Sequence, residues 1–204
     1  MNEAHTLSSL IDSKAEAYYV DEECMALLQR CLAGEEEAYV ALYNQHAGIV
    51  YRLAFGLLQN KEDAEEVLQD SFEYAFRKLA HYNPQKSAFT TWLYRITVSR
   101  CRNKRRRKWL PTFPLRLLPQ EDVPDQQAPT PDSLLELDEQ QKVIWEALAR
   151  LSPKLRETAI LRYYNGLRYS EIGQILGIPP KTAESRIRLA HKALRIYFND
   201  IEEE

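Results

Sequence analysis

The chain has 204 residues, 45% apolar side chains, a formal net charge of −3 and three cysteines. That length admits one large or two small domains, and that charge excludes a uniformly basic nucleic-acid binder, so any phosphate contact must come from local patches. An odd cysteine count without a CxxC pair argues against a disulfide framework or structural zinc, and without a signal-peptide pattern or a bilayer-length apolar run the chain is expected to be cytoplasmic, with no direct membrane insertion.

Residues 1 to about 20 show little periodicity, and 1–30 reads as a partly mobile N-terminal extension. Asp21, Glu22 and Glu23 then precede a short apolar run of Met25, Leu27, Leu28 and Leu32. Cys24 and Cys31, with His46, admit a metal or redox reading, but a spacing of seven on an amphipathic helix favours packing. Gly34 breaks the run. Glu35, Glu36 and Glu37 then place negative charge at the start of a helix expected to reach Leu58 through Ala38, Leu42, Ile49, Val50, Leu53, Ala54 and Leu57.

Asn60 starts the next segment. In DAEEVLQDSFEYAFRKL, residues 63–79, the apolar stripe is Ala64, Leu68, Phe72, Ala75, Phe76 and Leu79. Glu65, Glu66, Gln69, Asp70 and Glu73 are left on the opposite face. An acidic stripe cannot track phosphates, so it is either a solvated surface or a docking surface for a basic protein partner.

A loop from His81 to Ser87, carrying Tyr82, Asn83 and Pro84, leads into a helix from Phe89 to about Lys108, FTTWLYRITVSRCRNKRRRK. Its second half, RCRNKRRRK, holds seven basic residues and no acid. Aromatic rings can stack on unpaired bases while Arg and Lys meet phosphates, so this element suits single-stranded nucleic acid. Trp92 shares a stripe with Phe89, Leu93 and Ile96, which leaves core packing and base contact both open for it. Tyr94, Arg95 and the basic run fall off that stripe and are expected to face outward.

From Pro111 to Asp138 the composition changes: six of the ten prolines and six acids fall here, against one arginine. Proline removes backbone donors and disfavours helix in the residue before it, so this is a semi-extended acidic linker. At about 3.3 Å per extended residue it reaches roughly 90 Å, enough to set two domains about two duplex turns apart.

Beyond the linker, Val143, Ile144, Ala147, Leu148 and Leu151 mark a helix. Ser152 and Pro153 form a cap and first-turn pair for another, with Leu155, Ala159, Ile160 and Tyr163 inward and Gly166 as its stop. In YSEIGQILGIPPKTAESRIRLAHKAL, residues 169–194, Ser170 is the expected cap of a helix that Gly177 ends. Pro180 opens a second helix whose inward face is Ala183, Ile187, Ala190 and Leu194. Lys181, Thr182, Glu184, Ser185, Arg186, Arg188 and Lys192 remain outward, on a rod of the width the DNA major groove admits. This is a helix-turn-helix pattern, the alternative being a helical hairpin with a solvated basic face. Strand-like alternation is nearly absent, and the fold class expected is all-α: two small helical domains, 31–110 and 138–198, joined by the Pro-rich acidic linker 111–137 and followed by an acidic tail, 199–204.

Taken in order, these segments resemble bacterial RNA polymerase sigma factors of the extracytoplasmic-function (ECF) type, in the sigma-70 family. DAEEVLQDSFEYAF at 63–76 is similar to region 2.2, which implies docking of Glu65, Glu66, Gln69, Asp70 and Glu73 on the clamp helices of the largest polymerase subunit. FTTWLYRITVSRCRNKRRRK is similar to regions 2.3 and 2.4, which implies −10 promoter melting and reading by Tyr82, Asn83, Trp92, Tyr94 and Arg95. Arg102, Lys104, Arg105, Arg106 and Arg107 would hold the backbone. The stretch 151–194 is similar to region 4, which implies −35 reading by Lys181, Thr182, Glu184, Ser185, Arg186 and Arg188. The resemblance further implies the flap of the second-largest subunit and an anti-sigma factor as partners. Glu184 departs from the family, which often has a basic residue within this helix; a carboxylate there can accept from a cytosine amino group.

No metal-ligand cluster, phosphate-binding glycine loop or nucleophile–base pair has a recognisable spacing, so neither an enzyme nor a cofactor is expected. Two rival readings remain. A dimeric regulator binding duplex DNA outside polymerase predicts palindromic sites, and a helical enzyme or interaction module with an incidental basic face predicts no salt-dependent DNA affinity.

Overall fold

The computed structural model describes residues 22–109 and 139–202. The expectations for residues 1–21, for the linker and for the end of the acidic tail fall outside these. Helix α1, Glu22–Leu32, carries Glu22 and Glu23 in its first turn, against the positive end of the helix dipole. Its Cys24, Leu28 and Cys31 are buried at spacings of four and three, so one face closes onto the next helix. Both cysteines are packing residues here, with Cys24 Sγ 3.9 Å from His46 Nε2.

Helix α2, Glu36–Leu58, is the central element. Leu42, Val50, Tyr51, Leu53, Ala54 and Leu57 are all buried because neighbours lie on several of its sides. It ends at Gln59, left-handed at φ 53°, whose N–H donates to the Phe55 carbonyl at 2.7 Å. Asn60 then caps α3, Lys61–Arg77, its side-chain oxygen accepting from the Asp63 N–H at 2.8 Å. After a 3-10 turn at Leu79–His81 comes α4, Phe89–Trp109. Helices α2, α3 and α4 pack mutually around Val67, Phe72, Leu93 and Val98, with α1 laid along α2.

The second unit consists of α5, Glu139–Arg150; α6, Pro153–Ala159, continued by a π-turn at Ile160–Tyr164; α7, Tyr169–Leu176; and α8, Pro180–Glu202. Pro153 takes the first turn of α6 as expected, but the Ser152 side chain makes no capping bond. The terminal carbonyls of α5 are instead met by Arg156, which donates to Leu148 O at 3.0 Å, Leu151 O at 3.2 Å and Ala149 O. The start of α7 also differs from expectation. Glu171 reaches back to accept from the Arg168 N–H at 2.8 Å, so the helix begins before Ser170 and leaves that hydroxyl without a capping role.

Ile172, Ile175 and Leu176 of α7 are buried against Ala183, Ile187 and Ala190 of α8, the two helices of the helix-turn-helix. The turn is tight. Gly177 sits at φ 69°, and a Cβ on Gly173 would lie 2.7 Å from the Ile178 carbonyl oxygen. Among the described residues there is no strand, and the fold is all-α in two units.

Those units touch. Helix α4 packs on α7, and α2 meets α5, α6 and the π-turn. The buried Trp145 of α5 is edge-on to Phe55 and tilted against Tyr164, with ring centroids at 5.9 and 4.9 Å. Gly56 makes this approach possible, since a Cβ there would come within 2.5 Å of the indole.

Candidate nucleic-acid and polymerase interfaces

The amphipathic spacing of α3 turns its acids away from the α2 side. Glu66, Gln69 and Glu73 are exposed, while Glu65 and Asp70 are half-buried. This face is not a free anionic strip, because α4 runs beside it. Lys104 Nζ sits between Glu66 and Asp63, 3.6 Å from the latter, and the Arg100 guanidinium covers the Tyr74 ring at 4.7 Å. Asp70 is pushed up by burial and by Glu66 and Glu73, with Arg100 and Arg107 acting against the shift. Glu73 pairs with Arg77 along its own helix at 3.1 Å. Gln69 and Glu73 are thus the exposed members least involved in holding α3 to α4.

Before α4, the loop is built by its own polar groups. The Tyr82 hydroxyl donates to the Ser87 carbonyl at 2.9 Å, and Asn83 Oδ1 accepts from the Gln85 N–H at 2.9 Å, an Asx turn of the kind Asn favours. The Tyr82, Phe89 and Trp92 rings cluster at centroid distances of 5.3 to 5.8 Å. Trp92 is half-buried, combining packing with an open edge, and Arg95 one turn on is exposed. The same end of α4 therefore presents Asn83, part of Trp92 and Arg95.

Tyr94 requires a correction. Expected to lie off the core stripe, it is 3% exposed, because the second unit covers that side of α4. Burial pushes its phenol up to about 12, with the neighbouring Asn165 side chain acting against the shift.

The basic run divides by helix face. Lys104 faces the acids of α3, while Arg102 and Arg105 face Glu157 of α6: Arg102 Nη2 and Nε donate at 2.8 and 3.2 Å, Arg105 Nη2 at 2.5 Å. Arg106 and Arg107 are exposed. The run of charges is legible in sequence, but its partition among three surfaces is not, because Glu157 lies 52 residues beyond Arg105.

On α8, Lys181 and Glu184 pair at 3.0 Å, Ser185 Oγ donates back to the Lys181 carbonyl at 2.9 Å, and Arg188 is exposed. Thr182, Ser185 and Arg186 are half-buried on the flanks. Tyr169, Lys181, Glu184, Ser185, Ile187, Arg188 and His191 line a shallow hollow. His191 is not among the contacts expected from sequence, although its helical spacings of seven from Glu184 and three from Arg188 place it on the same face. Its ring stacks on Tyr163 at 5.2 Å and contacts the phenol oxygen; burial, aided by Arg195, lowers its pKa from 6.5.

Comparison with known proteins gives the same two-part division. Residues 42–110 match Sigma-70 region 2 and residues 135–194 match Sigma-70 region 4. The chain is 30% identical to the ECF RNA polymerase sigma factor SigW of Bacillus subtilis over 82% of its own length and 92% of that protein. It is 34% identical to the ECF sigma factor SigE of Mycolicibacterium smegmatis, covering 76% of this chain and 60% of that one. Among solved structures, CnrH in complex with the cytosolic domain of CnrY shares the fold at TM-score 0.64 and 21% identity, covering 87% of this chain and 98% of that chain. The sigma factor RpoE from Bartonella quintana, solved with the anti-sigma factor NepR, shares it at TM-score 0.57 and 21% identity, covering 77% and 94%. With this family match over both helical units, the chain belongs to the ECF sigma factors of the sigma-70 family, non-catalytic proteins that direct RNA polymerase in transcription initiation.

Proposed function

We propose that this chain is a dissociable promoter-specificity subunit whose first unit, about 31–110, binds core RNA polymerase and opens the −10 element, while its second, about 138–198, reads the −35 element. The observation that carries this reading is the adjacency of α3 and α4. Within one unit these two helices present an exposed acidic face, suited to a basic protein surface, beside an aromatic and cationic end suited to unpaired bases.

Glu65, Glu66, Gln69, Asp70 and Glu73 meet the clamp helices of the largest subunit. Tyr82 shapes the loop that offers Asn83 to the −10 strand, with Trp92 and Arg95 beside it, and Arg102, Lys104, Arg105, Arg106 and Arg107 hold its backbone. Tyr94 reaches that strand only if the second unit moves off. On α8, Lys181, Thr182, Glu184, Ser185, Arg186 and Arg188 read paired bases, and the second unit also meets the flap of the second-largest subunit. An anti-sigma factor is a further partner, supported by the likeness to sigma factors solved with such proteins. Among the described residues no helix is long and apolar enough to cross a membrane, which agrees with a cytoplasmic site of action beside polymerase.

Polymerase retention tests the docking half. Gln69→Lys with Glu73→Lys, which leaves the Lys104 contacts intact, is expected to abolish capture of core polymerase at an unchanged circular dichroism spectrum. Undiminished capture would remove α3 from the interface.

A further inference from the structure

Glu157 stands out as a carboxylate with 3% side-chain exposure that takes both of its cationic partners from the other unit. A carboxylate withdrawn from water needs charged donors around it, and here Arg102 and Arg105 supply them, Arg102 through two parallel N–H bonds. That fork on an oxyanion is the contact an arginine makes to a nucleic-acid phosphate.

We propose that Glu157 acts as an internal stand-in for phosphate: in the free chain it occupies Arg102 and Arg105, holding the second unit closed over the −10 surface until nucleic acid displaces it. This rests on the reading of those arginines as −10 backbone contacts. Three further features of the junction agree. Tyr94 is buried beside Asn165, so closure also hides an aromatic of α4. Trp145 seats over Gly56 at a distance that admits no side chain, so closure has a defined geometry and not a loose collision. Arg105 Nη1 is buried without a hydrogen-bond partner, so Glu157 satisfies the arginine pair incompletely. A phosphate, with more acceptor oxygens and open to solvent, completes what the carboxylate leaves unmet.

The masking is also asymmetric. Arg105 keeps 25% of its side chain exposed and Arg102 42%, while Arg95, Arg106 and Arg107 are exposed in the closed chain and provide first contact for a strand, which then competes with Glu157 for its two arginines. A binding-competent state populated only in part lowers apparent affinity by that fraction, which makes the device measurable.

The test uses the full chain without polymerase and a short, labelled single-stranded DNA of random sequence, read by fluorescence anisotropy, with small-angle scattering for compactness. Glu157→Gln removes the charge at nearly constant shape. Gly56→Leu leaves Glu157 in place and wedges Trp145 away, in a helix where leucine is the better former. If the closed form holds nine-tenths of the free chain, each variant tightens binding by about tenfold and enlarges the radius of gyration. In the Gly56→Leu background, Arg102→Ala with Arg105→Ala abolishes the gain.

Should Glu157→Gln unfold by circular dichroism, Gly56→Leu decides. Wild-type affinity in a visibly expanded Gly56→Leu chain overturns the proposal, as does a gain that persists without the two arginines. A parallel run-off reaction with core polymerase separates the failures. Initiation by the wild-type chain with no gain in the open variants rejects the mask alone, while absence of initiation rejects the functional reading on which it rests.

Discussion

Trp145 lies edge-on to Phe55, ring centroids 5.9 Å apart at 84°, and joins the second unit to the central helix of the first. Its indole also tilts against Tyr164, so one side chain fills space in both units. Trp145→Ala therefore leaves a cavity at the junction, and truncating a buried Trp costs about 3 to 5 kcal/mol. Urea unfolding followed by circular dichroism is expected to show the helices of the second unit melting early. A shift below about 1 kcal/mol would mean that the junction collapses without penalty.

The helix-turn-helix angle depends on a contact that leaves no room for a methyl group. Gly173→Ala places Cβ against the Ile178 carbonyl, and overpacking of this kind costs about 1 to 3 kcal/mol. Gly177→Ala meets no neighbour but forces a left-handed residue, worth about 1 to 2 kcal/mol. Thermal unfolding should show both losses, and only Gly173→Ala should also weaken −35 duplex binding at temperatures where the fold persists, because it splays α7 from α8. Equal duplex affinities for the two variants would contradict this.

Much of the fold was legible in the sequence because it rests on local rules. Asn60 at the start of α3, Pro153 and Pro180 in first turns, Gly177 as a stop and the stripe of α3 all follow from capping chemistry and helical spacing. The departures have two causes. Ser170 lost its role to Glu171, a competition between two local hydrogen bonds, whereas Tyr94 is covered by residues more than sixty positions further along the chain. Periodicity shows which face of a helix avoids its nearest core. It carries no information about a second unit packing on the other face, and so Glu157, Trp145 and the role of Gly56 were invisible.

Lys181 and Glu184 form an exposed pair on the face of α8 proposed to read DNA, with side chains 85% and 49% exposed, and pairs of this kind add little stability. Glu184→Gln frees the ammonium and removes a charge that repels phosphate. Duplex affinity should rise across sequences, and the slope of log affinity against log salt should steepen by about one. Preference for cytosine at the position facing residue 184 should fall. A uniform loss of affinity would show that the carboxylate organises the helix and does not tune it.

His191 makes the second unit sensitive to acid. Its pKa is lowered in the fold from 6.5, by burial first and Arg195 second, so the unfolded chain binds more protons between the lowered and ordinary values. The contribution of the neutral ring is complete above the unfolded pKa and is lost as pH falls through the folded one. Thermal midpoints of wild type and His191→Gln, compared from neutral pH down to about 5, should converge as the wild type loses this advantage. Parallel curves would exclude His191 as the titrating group.

Run-off transcription decides whether this chain selects promoters for polymerase: core polymerase, a genomic promoter library, and the reaction with and without this chain. Discrete start sites are expected that appear only when the chain is present, share sequence at −10 and −35, and vanish with Gln69→Lys and Glu73→Lys. Transcripts identical with and without the chain, from a core preparation active with another sigma factor, would contradict promoter selection by this chain.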